Sequence, residues 1–183
     1  MNFEQFTEKA REVIQLAQNI LLEYHHNQLD VEHILLALVK QPEGITSQIL
    51  ERCQVSPEAI QNELESSLEK RPSVYFQSNT EAQIYLTPRA KSVLDGAVEE
   101  AKRLKDSYVG VEHLLIAVVK EESGLSNKIL KNYKIDVEKI YRALQEIRGK
   151  RKVDDPYAEG RYMALEKYGR DLTQYARDGK LDP

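Results

Sequence analysis

The chain has 183 residues, with 26 basic and 30 acidic side chains and a formal net charge of -4. This length allows one domain or two small ones, and a hydrophobic content of 41% is enough for a core. No stretch approaches the roughly 18 apolar residues of a membrane span, and the opening MNFEQFTEKA lacks the basic-then-apolar order of a signal peptide. The single cysteine, Cys53, excludes an internal disulfide and a four-cysteine zinc site. We therefore expect a soluble, cytoplasmic protein without a membrane partner.

The charge is uneven along the chain. Residues 1–70 carry 5 basic and 12 acidic side chains, whereas residues 86–150 carry 13 basic and 10 acidic ones. No segment has the concentrated basic charge that nucleic-acid binding needs, so we expect no nucleic-acid partner. The acidic first part favours cationic partners instead.

An internal repeat organises the sequence. Residues 6–70 align with residues 86–150 at a constant offset of 80, without a gap and with 18 identities in 65 positions. Unrelated segments of this length would share about 4. The identical positions include Thr7 with Thr87 and the motif VEH at 31–33 with 111–113. We infer that one ancestral unit was duplicated.

Each copy shows the pattern of four helices. The first begins at Thr7 or Thr87, whose hydroxyl can cap free N–H groups. The second begins near Asp30 or Gly110 and is apolar nearly all round, so we expect it to be the buried central helix. A short third helix and a fourth helix follow in each copy. Their predicted start signals are Gly44 and Gly124 for the third helix, and Ser56-Pro57 and Asp136 for the fourth.

The predicted boundaries follow from the repeat. Residues 6–70 form repeat 1, residues 71–85 a connecting loop and residues 86–150 repeat 2, so that residues 1–150 make an all-α tandem repeat of two four-helix units with pseudo-two-fold symmetry. After residue 150 the composition becomes polar, and we expect residues 151–183 to be a linker with one or two short helices. Its apolar points are Leu165, Tyr168, Leu172, Tyr175 and Ala176.

Catalytic motifs are sparse. No Gly-Lys pair is followed by Ser or Thr, so the sequence has no phosphate-binding loop. The four histidines lack the spacing of a zinc site, and the adjacent pair His25-His26 is expected at a solvated helix end. Cys53 aligns with Tyr133, which indicates a space-filling position. We expect no catalytic residue, metal or cofactor in this chain.

The duplicated Glu-His pairs allow two interpretations. Glu32 and Glu112 fall in the first turn of a helix, where a carboxylate interacts favourably with the helix dipole. Such a carboxylate can equally accept a guanidinium, while the helix start accepts an anion. His33 and His113 are expected to form buried hydrogen bonds. A hydrolase that uses these Glu and His residues is an alternative, and it requires a pocket and a displaced histidine titration.

A family resemblance rests on four phrases: FTEKAREVIQLAQ, DVEHILLALV, YLTPRAKSVLDGAVEEA and SYVGVEHLLIAVV. They resemble the duplicated N-terminal domain of Clp chaperone ATPases. The tail ALEKYGRDLTQYARDGKLDP resembles the stretch that leads into the first AAA+ module of these proteins. The resemblance implies a fragment that ends before the ATPase modules, to which ATP and magnesium would then belong.

Two groups within this family are similar to the chain. The long loop before YLTP and the wording of the tail resemble ClpB-like disaggregases, whereas the opening FTEKAREV and the stretch TPRAKSVL resemble ClpC-like partners of a protease. We favour the ClpB-like group. The resemblance then implies a monomeric module of a homohexameric parent, which binds unfolded or aggregated polypeptide or adaptor proteins. A purely structural stabiliser of the hexamer is a further alternative.

The resemblance also implies binding residues. The ClpB-like substrate surface maps onto Thr7, Leu94, Asp106 and Glu112, as an apolar groove rimmed by carboxylates. Thr7 is explained equally well as a helix cap, and Leu94 as a core residue.

The ClpC-like alternative binds adaptors or phosphoarginine-marked substrates, and its phosphoarginine site maps onto Glu32 and Glu112. Asp30 places a negative charge where the phosphate would lie in the first repeat, so we expect no phosphoarginine there. Gly110 carries no such charge, so phosphoarginine binding at the second repeat is kept as an alternative.

Overall fold

Each half of the chain forms four α-helices in the same order. The structure, a computed structural model, describes residues 2–75, 83–164 and 177. In the first half the helices are α1 (Glu8–Glu23), α2 (Val31–Lys40), α3 (Ile45–Arg52) and α4 (Pro57–Glu69). In the second half they are α5 (Pro88–Arg103), α6 (Val111–Lys120), α7 (Leu125–Asn132) and α8 (Val137–Arg148). The predicted all-α repeat of two four-helix units is confirmed, and a short 3-10 helix at Phe3–Gln5 precedes it.

The helices begin at the predicted capping residues. The hydroxyl oxygens of Thr7 and Thr87 accept hydrogen bonds from backbone N–H groups three residues later, both at 3.1 Å. Ser56 and Asp136 cap α4 and α8 in the same way. Each of these oxygens satisfies a helix N–H group that has no partner within its own helix. Local sequence is therefore sufficient to define where these helices start.

The core is centred on the second helix of each repeat. Every residue of α2 from Val31 to Val39 and of α6 from Val111 to Val119 is buried. Helix α2 packs against α1 and α4, helix α6 packs against α5, and the two central helices also contact each other. Because one hydrophobic cluster runs through both repeats, the repeats form a single core and not two separate ones.

Two short parallel strands, which the sequence did not predict, join the repeats. Strand β1 (Gln28–Leu29) pairs with β2 (Tyr85–Leu86). The repeats thus meet at two seams, one before α5 and one before α1. At the seam before α1 the corresponding contact is a single parallel bridge between Phe6 and Val109. Strands of two residues are too short to show an alternating pattern. Their effect is to place the start of each repeat's first helix beside the start of the other repeat's central helix.

The segment that follows repeat 2 packs against the repeats. Val153, Ala158 and Tyr162 belong to the hydrophobic core, and residues 158–164 are helical. The packed body therefore continues beyond residue 150, where the sequence placed the start of a linker. The apolar points predicted between residues 165 and 176 lie outside the described residues.

Reactive and metal-binding groups are few in the described ranges. Cys53 is half-buried and packs against the core, as expected of a space-filling residue. No three His, Cys, Asp or Glu residues among those described come together to hold a metal ion. Among the helices of the same ranges, none combines the length and the apolar character that a membrane span requires.

Candidate functional site

Two polar clusters lie at the seams between the repeats, each at the start of a central helix. The first-repeat site, at the start of α2, consists of Asp30, Glu32, Arg71, Thr87 and Arg89. The second-repeat site, at the start of α6, consists of Thr7, Asp106, Glu112, Arg148, Glu159 and Tyr162. Each site contains one glutamate of the duplicated Glu-His pair, and neither glutamate has exposed surface.

Glu32 is bound by arginines in the first-repeat site. Its Oε2 accepts a hydrogen bond from Arg71 Nη2 at 2.7 Å, and its Oε1 accepts one from Arg89 Nη2 at 3.2 Å. Oε1 also accepts the backbone N–H of Ser126 at 3.1 Å, so Glu32 caps α7 of the other repeat. Burial alone would raise the pKa of Glu32, but these hydrogen bonds outweigh burial and lower the pKa to about 2.

Asp30 completes the first-repeat site. It caps α2 by accepting the N–H of Val31 at 2.9 Å, and it accepts the hydroxyl of Thr87 at 2.8 Å. Arg89 Nη1 lies 3.1 Å from its Oδ2. The protein's own Arg71 and Arg89 thus fill the space in which the carboxylates would bind an external guanidinium. The expectation that the first repeat binds no phosphoarginine stays a prediction.

Asp106 anchors the second-repeat site. Its carboxylate accepts hydrogen bonds from His113 Nε2 at 2.9 Å and from the backbone N–H of Val153 at 3.0 Å, and it pairs with Arg148. Burial alone would raise the pKa of Asp106, but these three partners lower it to about 2. Asp106 is therefore charged and already bonded to the C-terminal segment.

Glu112 is held less completely than Glu32. Its Oε1 accepts the hydroxyl of Tyr162 at 2.7 Å and lies 3.3 Å from Arg148 Nη1. Its Oε2 has no hydrogen-bond partner among the described residues. Glu32 caps α7 at Ser126. In the other repeat the residue aligned with Ser126 is Thr46, and its hydroxyl makes no hydrogen bond among the described residues. The aligned glutamates therefore have different partners.

Glu159 enters the second-repeat site from the C-terminal segment. Its Oε1 accepts the hydroxyl of Thr7 at 2.7 Å and the backbone N–H of Val111 at 3.0 Å. Its Oε2, like that of Glu112, has no hydrogen-bond partner within the described ranges. Burial, and after it the charge of Glu112, raises the pKa of Glu159 to about 7.

Glu159 takes the position that Asp30 has in the first repeat. Both carboxylates accept a threonine hydroxyl and the first backbone N–H of a central helix. The residue aligned with Asp30 is Gly110, which has no side chain to cap α6. A Cβ at Gly110 would lie 2.5 Å from Glu112 Oε2 and 2.8 Å from Glu159 Oε1. The glycine therefore leaves the space that Glu159 fills.

The two histidines of the duplicated pairs are helix caps. His33 Nδ1 accepts the N–H of Asp30 at 3.0 Å, and His113 Nδ1 accepts that of Gly110 at 2.7 Å. The predicted buried hydrogen bonds are thus confirmed. Burial lowers the pKa of His33 to about 4. The prediction that His26 lies at a solvated helix end is wrong, because it is buried with its Nδ1 2.9 Å from His33 Nε2.

All four residues predicted for the substrate surface are buried. Thr7, Asp106 and Glu112 lie together in the second-repeat site, with exposed fractions of 0%, 9% and 0%. Leu94 is 2% exposed and belongs to the hydrophobic core, the alternative that the sequence left open for it. Their part in substrate binding stays a prediction, and for Thr7, Asp106 and Glu112 it requires that the C-terminal segment move away.

The residues that complete the two sites were not predicted; they are Arg71, Arg89, Arg148, Glu159 and Tyr162. Comparison of the repeats could not find Arg148, because it aligns with Leu68. Glu159 and Tyr162 lie in the segment that the sequence placed in a linker. One signal was available: glycine at position 110, in place of an acidic cap, leaves a helix start without a side-chain partner.

The buried carboxyl group of Glu159 is expected to make stability fall as the pH rises. Its pKa is about 7 in the folded protein against an ordinary 4.5, so its contribution to folding is complete below pH 4.5 and lost as the pH rises through 7. Relative to Glu159→Gln, the wild type should lose about 2 kcal/mol of unfolding free energy between about pH 5 and pH 8. Urea unfolding followed by circular dichroism measures this difference, and parallel pH profiles of the two proteins would contradict it.

Comparison with known sequences shows a chaperone family. The profile described as the Clp repeat (R) N-terminal domain matches residues 5–133. The "Chaperone protein ClpB 1" of Nostoc sp. is 42% identical over 97% of this chain and 20% of its own length. The "Chaperone protein ClpB" of Nitratidesulfovibrio vulgaris is 39% identical over 100% of this chain and 21% of its own length. The chain thus spans about a fifth of the length of these relatives.

Comparison with solved structures agrees with the sequence matches. The crystal structure of the Hsp104 N-terminal domain from Candida albicans matches with a TM-score of 0.68 and 26% identity, and covers 84% of this chain and 97% of that chain. The resemblance to Clp N-terminal domains, with ClpB-like proteins favoured, is confirmed by these relatives. The chain belongs to the Clp repeat (R) N-terminal domain family.

Proposed function

We propose that this domain recognises polypeptide for a ClpB-like chaperone, as a binding module without catalytic activity of its own. Its ligands are unfolded or aggregated polypeptides and adaptor proteins, which it binds in the cytoplasm. The named relatives are about five times longer than this chain. We include in the proposal that the parent protein is a homohexamer and that its ATPase modules bind ATP and magnesium.

One observation carries the proposal: the second-repeat site already holds a stretch of polypeptide. The carbonyl of Val153 accepts the N–H groups of Ser107 and Tyr108, each at 3.0 Å, and the carbonyl of Pro156 accepts that of Glu8 at 2.9 Å. Hydrogen bonds between backbones do not depend on the side chains of the bound segment. A surface with such N–H groups suits ligands of varied sequence, as a chaperone requires.

The corresponding surface beside the first-repeat site exposes apolar side chains. Ile84, Tyr85 and Leu86, just before α5, have exposed fractions of 39%, 54% and 42%. The residue aligned with Leu86 is Phe6, which is fully buried. Neighbouring exposed apolar side chains are typical of interaction surfaces. We therefore place the first contact with an unfolded chain at the start of α5.

Replacing Leu86 with aspartate is expected to weaken the binding of unfolded casein about tenfold, because the change removes about 1–2 kcal/mol of apolar burial. Fluorescence anisotropy of labelled casein, titrated with the full chain, measures the affinity. Leu22→Asp is the matched control, since Leu22 on α1 is 44% exposed, and it should leave the affinity unchanged. Equal weakening by both variants, or no binding of casein by the wild type, would contradict the proposal.

A further inference from the structure

The C-terminal segment fills the second-repeat site as a ligand would. Residues 153–162 contact Thr7, Asp106 and Glu112 through hydrogen bonds of 2.7, 3.0 and 2.7 Å. These are the three polar residues that the family resemblance assigned to the substrate surface. The segment also inserts the side chain of Tyr162, which is 1% exposed.

The contact is electrostatically mismatched. Arg148 pairs with both Asp106 and Glu112, whereas Glu32 in the first-repeat site accepts from two arginines. Glu159 brings a further carboxyl group to the side of Glu112, and the other groups that face it are the Thr7 hydroxyl, the Val111 N–H and the Tyr162 phenol. The Oε2 atoms of Glu112 and Glu159 have no hydrogen-bond partner in the described part of the chain. A buried polar atom without a partner costs free energy, so this contact is weaker than a fully bonded one.

The cap of α6 also comes from an element that is distant in sequence. In the first repeat the capping carboxylate belongs to Asp30, the residue that directly precedes the helix. In the second repeat it belongs to Glu159, which lies 48 positions after Val111. A single residue of the segment thus covers both the Thr7 hydroxyl and the start of α6.

We propose that residues 153–162 are an internal ligand that closes the second-repeat site, and that polypeptide ligands reach Thr7, Asp106 and Glu112 by displacing it. This inference rests on the proposed function. The internal ligand also indicates which side chains strengthen binding beyond the backbone hydrogen bonds. A carboxylate accepts hydrogen bonds from Thr7 and the Val111 N–H, and a phenol three residues later donates to Glu112. An external segment with Glu-x-x-Tyr spacing on one helical turn supplies both groups.

Covalent attachment gives the internal ligand an advantage. Its effective concentration at the site is on the order of millimolar, so a free peptide competes against it at every moment. The apparent affinity of a free peptide is reduced in proportion to the small fraction of open sites. Weakening the segment alone should therefore increase the binding of an external peptide.

The test uses the full chain and a fluorescein-labelled synthetic peptide of residues 153–163. Tyr162→Ala removes a fully buried ring and the donor to Glu112, and this variant is expected to bind the peptide at least about tenfold more tightly than the wild type. Tyr157→Ala is the matched control, because Tyr157 lies in the same segment and is 61% exposed; it should bind as the wild type does. Equal peptide affinity for all three proteins overturns the inference.

Hydrogen exchange measures opening of the segment without the peptide. The N–H groups of Glu8 and Tyr108 donate to the segment, so they should exchange at least about tenfold faster in Tyr162→Ala, while the amides of α2 keep their protection. Gly110→Asp is a second variant, because it supplies a cap within the repeat and occupies the space of the Glu159 carboxylate. It should expose the same two N–H groups. Unchanged exchange at Glu8 and Tyr108 in both folded variants overturns the inference.

Unfolded casein separates this inference from the proposed function. Tighter binding of casein by Tyr162→Ala than by the wild type supports displacement of the segment by polypeptide ligands. Equal casein binding, combined with peptide binding by the variant alone, overturns that displacement and leaves the proposed function intact. If casein binds neither protein, the proposed function fails, and the affinity for the peptide decides the inference alone.

Discussion

Replacing Glu32 with glutamine is expected to lower the free energy of unfolding by about 3 kcal/mol at pH 7. The carboxylate is fully buried between Arg71 and Arg89, and its pKa is about 2 in the folded protein against an ordinary 4.5. A neutral amide leaves both guanidinium groups without this counter-charge and weakens the cap of α7 at Ser126. Urea unfolding of the wild type and the variant, followed by circular dichroism, measures the loss.

The effect of Glu32 has a definite pH dependence. Because folding lowers its pKa, its contribution to stability is complete above pH 4.5 and is lost as the pH falls through about 2. The wild type and Glu32→Gln should therefore converge in stability within this acid range. A difference that stays constant down to pH 2 would show that the charge is not its cause.

Glu112→Gln is the matched control for this experiment. Glu112 lies in the same VEH motif and is equally buried, but one of its oxygens has no hydrogen-bond partner within the described ranges, and Glu159 lies beside it. Removal of the Glu112 charge also removes its repulsion of the Glu159 carboxyl group. We therefore expect the free energy of unfolding to fall by less than about 1 kcal/mol. Equal losses for Glu32→Gln and Glu112→Gln would contradict the difference between the two sites.

Replacing Phe6 with alanine is expected to lower the free energy of unfolding by about 4 kcal/mol. The side chain is 0% exposed, its ring centroid lies 5.4 Å from that of Phe3, and its backbone bridges to Val109 at the second-repeat seam. Truncation removes the buried ring and leaves a cavity between helices that can close only in part. The midpoint and slope of the urea unfolding curves of the wild type and the variant give the loss of unfolding free energy.

The aligned Leu86→Ala variant tests whether burial is the cause. Leu86 occupies the same position in the repeat as Phe6, but 42% of its surface is exposed. We expect its truncation to cost less than about 1 kcal/mol. A loss above about 3 kcal/mol for Leu86→Ala would mean that the position in the repeat, and not burial of the side chain, determines the cost.

Much of the fold could be predicted because its signals are local. Thr7, Thr87 and Ser56 each lie directly before the helix that they cap. The continuous apolar run of each central helix identified the core. The two strands were missed because each has only two residues and their pairing depends on the approach of the two repeats.

The sites could be predicted only in part because their contacts are distant in sequence. The hydroxyl of Tyr162 bonds to Glu112 across 50 positions, and the Thr7 hydroxyl bonds to Glu159 across 152. The hydrophobic periodicity of a sequence does not indicate hydrogen bonds between residues so far apart. Comparison of the repeats detects what the two copies share, such as Glu32 and Glu112, but the two sites differ in the partners that are not shared.

The cap of α7 connects the two copies in a way that bears on how the duplication arose. Glu32 belongs to one copy and Ser126 to the other, 94 positions along the chain. A lone ancestral unit would have left both groups unpaired and would have needed a second molecule to satisfy them. Fusion in tandem made that encounter intramolecular, so that assembly no longer depended on the amount of protein in the cell. Once fused, the two seams could differ, and they do: Asp30 caps α2, whereas Glu159 caps α6.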